Sequence, residues 1–310
     1  MLNESANAAL SWIESHLSHF GVARHATDEF DRFLLLKPLS ELALVSSLLA
    51  RDPGCAERCS PLADWIWEEI GSGDDLVRLT CARPELIEAI SLYASLYTMG
   101  YRSNRLDAWV SYLSNSALMQ GMELPAWRHT ALRYNLGRLE LSPPPVKPAA
   151  GSWLSAMPEP WTFSDTTGYP MTHEVFYLTD FGRRPEALTT PGVSAYLAFW
   201  LPTWLKCAQE VGNQDLAAEL LMVGTCMAEP VGRQGLSELK AWQRTDGSFP
   251  GPSGAGSGLP CRDGDTARRR FLSTYHTTLV ALLALTADSW APCRCPGGLS
   301  PVSSDSGQAV

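Results

Sequence analysis

No apolar run in this chain reaches membrane-spanning length: the longest, Thr277 to Thr286, is about half of the roughly 20 residues a bilayer core requires. Met1-Leu2-Asn3-Glu4 lacks a basic start followed by an apolar block, which argues against a secretory signal and for the cytoplasm. Sustained apolar–polar alternation, the mark of half-buried strands, is missing too. There is no surplus of positive charge: the net charge is −9, so nucleic-acid binding has no global electrostatic support. The one dense cationic run, Arg268-Arg269-Arg270 behind Asp263 and Asp265, reads as a solvated helix start. A glycine-rich phosphate loop, an HExxH pair and a GxSxG elbow are all absent, and so is an aspartate cluster of the kind that holds magnesium-bound diphosphates.

The 8 cysteines exclude less. In the cytoplasm they are expected to be thiols. Cys55 and Cys59 stand four apart and Cys293 and Cys295 two apart, and neither pair has the two-residue gap usual in zinc sites. No metal is expected.

What is present is helical. With 45% hydrophobic and 18% charged residues over 310 positions, the chain can fill one large core. Ala6, Leu10, Ile13, Leu17 and Phe20 recur at three- and four-residue steps and line one helix face. Similar runs follow at 39–49, 61–70, 84–99, 104–119 and 125–139, then at 172–181, 193–211, 214–227, 236–243 and 271–287. Pro61, Pro84 and Pro125 sit where a first helical turn accepts proline. Phe20-Gly21, Met99-Gly100, Phe181-Gly182 and Val211-Gly212 each mark a helix end, since glycine accepts the left-handed backbone found there. Short links between amphipathic helices make antiparallel neighbours. The expectation is an all-α fold: one domain over residues 1–290, built from consecutive antiparallel helix pairs and closed into an α/α barrel. A proline-rich crossover spans about 142–160, and a Gly/Pro-rich loop at 246–265 is a substrate cover or a surface insertion. Residues 291–310 are expected to form a disordered tail.

Two of the 6 histidines have neighbours that suggest chemistry. On a helix, His173, Phe176, Tyr177 and Asp180 share a face, and a carboxylate there can orient an imidazole for proton transfer. The same grouping also fits a buried polar cluster that pins the helix. His276 opens an almost wholly apolar segment, where it needs a polar partner or a task. His16, His19, His25 and His129 have no such company.

Ala241-Trp242-Gln243-Arg244-Thr245-Asp246-Gly247-Ser248-Phe249 resembles the helix-to-loop turn of the α/α-toroid enzymes: terpene cyclases, protein prenyltransferase β subunits and lanthipeptide cyclases. Tyr275-His276-Thr277-Thr278 resembles the start of an inner helix in prenyltransferases, where the histidine binds zinc. The cysteine of that zinc site has no clear counterpart, although Cys261 is nearby, and the acid motif of proton-initiated terpene cyclases is absent. The carry-over therefore stops at His276. The whole chain, above all Thr172 to Arg184 with the Tyr275 segment, also resembles an actinobacterial family of unassigned function often found beside natural-product genes. That resemblance implies a tailoring role similar to that of the stand-alone cyclases of the newest lanthipeptide class.

The expected activity is ring closure in a peptide, with a cysteine thiol adding to a dehydroamino acid by acid–base catalysis without cofactors. His173, oriented by Asp180, is the expected base, and His276 or Tyr177 the acid. Tyr275, Phe176, Trp242 and Asp246 are the expected substrate-binding residues. The expected partner is a modified precursor peptide or a small-molecule intermediate, together with other pathway enzymes. Two alternatives stay open: an isoprenoid or polyene cyclase with aromatic residues lining its cavity, and a non-catalytic subunit that binds a leader peptide.

Overall fold

The computed structural model describes residues 2–22, 24–26, 28–141, 151–227 and 231–287. Sixteen α-helices occur among them, and no strand. In chain order they are α1 (Glu4–Ser15), α2 (Leu17–Phe20), α3 (Glu29–Leu49), α4 (Pro53–Glu69), α5 (Asp74–Ala82), α6 (Ile90–Thr98), α7 (Asn104–Ser114) and α8 (Ala117–Gly121). Then follow α9 (Ala126–Arg138), α10 (Trp153–Ala156), α11 (Asp165–Leu178), α12 (Val193–Glu210), α13 (Gln214–Cys226), α14 (Val231–Ala241), α15 (Thr266–Leu272) and α16 (Tyr275–Leu285). The all-α expectation is met. No helix among the described residues is long and apolar enough to cross a membrane.

Side-chain caps fix many of the helix starts. Asn3, Asp28, Asp52, Ser103, Asn213 and Asp265 each accept a bond from a backbone amide in the first turn of the helix that follows. Each such cap contributes about 1 kcal/mol.

Six helices pack in a circuit: α3 on α6, α6 on α9, α9 on α11, α11 on α13, α13 on α16, and α16 back on α3. The others lie outside it. Helix α1 packs on α16, α4 on α3, α10 on α11, α12 on α13, and α14 on α13 and α16. The inner members carry the densest burial; in α16 every residue from Thr277 to Leu285 is buried. The C-terminal ends of α3, α6, α9 and α11 surround one opening, and another lies farther back along α3, α6 and α9 beside His173 and Tyr177 of α11. These four inner helices therefore run in the same direction.

Several boundaries differ from the sequence reading. Prolines 38, 61, 170 and 202 lie inside helices. Pro61 does not start a helix; α4 begins at Pro53 and places Cys55 and Cys59, both buried, in its first two turns. An internal proline costs a helix about 3 kcal/mol, and here packing on both sides of each proline outweighs that cost. Gly100, Gly182 and Gly212 have the left-handed φ expected of helix ends, whereas Gly21 is extended at φ −60°. Arg268 is not solvated: it is 1% exposed and donates to the His19 carbonyl. The second cysteine pair, Cys293 and Cys295, the 291–310 tail and the 142–150 part of the crossover lie outside the described residues.

The Gly/Pro-rich loop is docked on the helices. Gly251 N–H donates to the Ser273 carbonyl, and a side chain on Gly256 would run into the Leu272 carbonyl. Its Leu259 lines the second of these openings, beside α3, α6, α9 and α11.

Candidate active site

Helix α13 is mostly apolar and carries two carboxylates one turn apart, Asp215 and Glu219, both buried. An i, i+4 pair faces one way, and here it faces the interior of the helix circuit. Asp215 stands in the first turn of α13, where the positive end of the helix dipole favours a negative charge. It accepts three bonds: from His276 Nδ1 at 2.8 Å, Thr277 Oγ1 at 2.8 Å and Tyr169 Oη at 3.0 Å. Burial alone would raise its pKa, but the His276 charge and these bonds hold it at about 2.

His276 lies in the first turn of α16, where the helix dipole and burial both oppose a positive charge. Asp215 overrides them, helped by Glu41, whose Oε1 is 3.7 Å from Nε2, and by Glu219. The imidazole pKa rises to about 10, so His276 is an imidazolium at neutral pH. Tyr275 is buried beside Glu41, and burial, reinforced by that carboxylate, keeps its phenol protonated. Glu219 moves the opposite way from Asp215. Burial raises its pKa, and the Asp215 charge adds to the rise. It accepts a short bond from Thr172.

His173, on α11, approaches Glu219 from the other side, with Nδ1 3.5 Å from its carboxylate. The same Nδ1 lies 2.7 Å from the Tyr169 carbonyl, one turn back. A carbonyl can only accept, so Nδ1 carries the proton and an uncharged ring keeps its lone pair on Nε2.

Glu41, Ser95, Asn135, His173, Glu219 and His276, one from each of the six inner helices, line a cavity of about 140 Å³, which Asp215 reaches through His276. The cavity opens into a vestibule of about 350 Å³ that shares Glu41, Asn135, His173 and Tyr177 with it and is rimmed by Trp127, Lys37 and Leu259. His173 and His276, 103 positions apart in sequence, thus face one chamber with Glu219 between them. Single ligand atoms from Asp215, Glu219 and His276 also lie within 4.8 Å of one another, close enough to hold one metal ion. One nitrogen and two carboxylate oxygens are a donor set that suits several divalent cations.

Of the residues expected from sequence, His173, Phe176, Tyr177 and His276 line the chamber, and Tyr275 lies behind it beside Glu41. Asp180 is a correction. Helix α11 ends at Leu178, and Asp180, Phe181 and Gly182 follow with φ of +48°, +52° and +83°. This left-handed turn breaks the periodicity that put Asp180 on the face of His173. Phe181 folds under the chamber against Phe176, Tyr177 and Tyr134. Asp180 leaves on the far side, where it accepts from Arg51 and Tyr134, both at 2.9 Å. Glu219 takes the place foreseen for it.

Trp242 and Asp246 are corrections too, as neither lines the chamber or its vestibule. Trp242 packs against the core at the end of α14. Asp246 closes its own turn by accepting from Ser248 and pairs with Arg270 at 2.9 Å. Gln243 donates to the Ser5 and Gly247 carbonyls. A side chain on Gly247, at φ +92°, would meet the Ala8 carbonyl at 2.4 Å. The segment that carries the toroid resemblance thus ties the end of α14 to α1.

Asp215, Glu219, Glu41 and Tyr169 were missed. The signal for the first two was readable: two acids at i, i+4 in a helix made mostly of Leu, Ala, Met and Val share one face of a largely apolar helix. Asp215 is also a first-turn acid beside the Asn213 cap.

A family model described as "Domain of unknown function (DUF6895)" matches residues 6–286. The chain belongs to that family. No curated protein and no solved structure matches the chain. The matched span runs from α1 to the end of α16, so it takes in every chamber residue named above.

Proposed function

We propose that the chamber is an acid–base active site that closes thioether rings in a peptide. In this reaction the cysteine S–H gives its proton to His173 Nε2 as sulfur bonds to the β-carbon of a dehydroalanine or dehydrobutyrine. The electron pair of the C=C bond moves toward the carbonyl as an enolate. His276, charged and held by Asp215 and Glu41, gives a proton to the α-carbon; water then takes the proton from His173 and one returns to His276, which resets both rings. Tyr177 lines the path between chamber and vestibule. The reaction consumes no cofactor and leaves the mass of the peptide unchanged.

The observation that carries this reading is the pair of imidazoles on either side of Glu219. One has its basic nitrogen fixed at Nε2; the other is held in its acid form. General acid and general base are each worth roughly 10²–10⁴-fold in rate. The dimensions support one side chain entering at a time. About 140 Å³ holds a residue-sized group, while the vestibule can take the flanking peptide.

The test is incubation with a dehydrated precursor peptide, followed by alkylation of free thiols and mass spectrometry, because cyclisation removes a thiol without changing mass. His173→Ala and His276→Ala should each leave the thiols alkylatable. Cyclisation by both variants at the wild-type rate would overturn the assignment.

A second reading has one observation in its favour, the convergence of Asp215, Glu219 and His276. A divalent ion held by these three would act as a Lewis acid in place of the His276 proton. Stoichiometric metal in the purified protein, lost in Glu219→Gln, would select it.

A further inference from the structure

A cavity of about 800 Å³ opens at the C-terminal ends of the inner helices, on the opposite side of the Phe181 floor from the chamber. Five arginines line it: Arg51, Arg133, Arg138, Arg183 and Arg184. Asp180 is the one carboxylate among the described residues of its lining. At its edge Asp64 accepts from Tyr101 and Glu140 from Tyr97. In a chain of net charge −9 this is a local reversal of sign.

Partners within the fold absorb part of this charge. Salt bridging accounts for two arginines, since Arg51 and Arg183 both pair with Asp180, at 2.9 and 3.7 Å. Hydroxyl bonding positions a third. Arg138 donates to Ser47, Ser95 and Thr98 and stacks on the Tyr134 ring, which fixes its guanidinium and leaves its charge intact. Helix ends offset part of the remainder. The ends of α3, α6, α9 and α11 surround the cavity, and each carries roughly half a negative charge, about two in all. Five arginines against one carboxylate leave a surplus of about four, so roughly two positive charges remain unmatched. Arg133 and Arg184, exposed at the rim, have no carboxylate partner among the described residues.

We infer that this cavity binds a small molecule bearing a diphosphate group. Guanidinium forks grip phosphate oxygens two at a time, and several of them converging in a concavity suit a compact polyanion. The volume lies in the range of small-molecule sites, about 300–1,000 Å³, and fits a nucleoside diphosphate better than an extended peptide. Arg51 and Arg138, held in place, form the floor of the site; Arg133 and Arg184 close on the ligand from the rim. The site shares no lining residue with the chamber, so it stands whether or not the proposed ring closure does.

Isothermal titration calorimetry of the full chain with inorganic pyrophosphate, with ADP and with a hexaglutamate peptide tests the inference at low ionic strength. Wild-type protein should bind pyrophosphate or ADP saturably and more tightly than hexaglutamate, with affinity falling as salt rises. Binding of both probes places recognition in the phosphates; binding of ADP alone adds the wall of Tyr101 and Met99. The double variant R133E/R184E should lose about tenfold or more in affinity. Lys206→Glu, an exposed change on outer helix α12 that alters net charge as much as R133Q/R184Q does, should keep wild-type affinity. Both replaced arginines are exposed, and thermal unfolding of the double variant checks that it is folded; R133Q/R184Q should show the same loss more mildly. Absence of saturable pyrophosphate and ADP binding at millimolar concentration, equal affinity in wild type and R133E/R184E, or preference for hexaglutamate would each overturn the inference.

Discussion

The two ends of the helix circuit are charged in opposite ways. Acids meet around the chamber, Asp215 in the first turn of α13 and Glu219 and Glu41 farther along their helices; arginines gather at the C-terminal ends of α3, α6, α9 and α11, where the helix dipole welcomes cations. The difference lies in how far each set is satisfied from within. Asp215, His276, Glu41, Glu219, Thr172 and Tyr169 bond or pair with one another in and around the chamber wall, with Glu41 Oε2 left as a buried oxygen without a hydrogen-bond partner among the described residues. The arginine end keeps more charge than its own partners absorb. A charge-paired cluster holds a protonation pattern in readiness for chemistry, whereas one with surplus charge waits for a ligand.

Breaking each end should therefore have unequal effects on stability. Asp215→Asn strips the His276 imidazolium of its closest counter-charge in a buried site. It should destabilise the fold by about 3–5 kcal/mol, the range for breaking a buried pair from one side, as read by urea unfolding. Asp180→Asn at the other end removes the acceptor that Arg51 and Tyr134 share. With about a fifth of both charged side chains exposed, the expected loss is smaller, about 1–2 kcal/mol. Arg184→Ala, at the solvent rim, should fall within about 0.5 kcal/mol of wild type. Equal losses from Asp215→Asn and Arg184→Ala would erase the contrast.

Titration sharpens the same contrast. The His276 pKa is about 10 in the fold against an ordinary 6.5. Its contribution to stability is thus fully present below pH 6.5 and declines as the pH climbs through 10. His276→Phe should flatten the unfolding profile across that window. Arginine charges do not change there, so R133Q/R184Q should leave its slope untouched.

Much of the frame was legible in the residue pattern. Three- and four-residue spacing gave the helices, and glycines after Met99, Phe181 and Val211 gave their ends. His276 was singled out because an imidazole in an apolar run needs a partner, and it has two. The failures have physical causes. Asp180 was placed by extending a helical period past Leu178, where three left-handed residues end it. Trp242 and Asp246 sit in a well-formed turn whose polar groups are used up in bonding the backbone. Glu41 stands about 174 positions from Asp215, and spacing along a chain says nothing about which distant helices will meet.

One property of the circuit reaches beyond the folded state. Helix α16 packs on both α1 and α3, and Asn3 donates to the Leu285 carbonyl across 282 positions. The ribosome therefore releases the groove-forming residues Glu41 and His173 well before the segment that seals them in. Until His276 arrives, Asp215 and Glu219 must stay hydrated or find temporary contacts, and an incomplete chain has no chamber in which to act. Such long-range closure slows folding relative to bundles with local contacts. It also predicts that two separately expressed fragments, cut within the exposed part of the 246–265 loop, would regain the chamber only by associating.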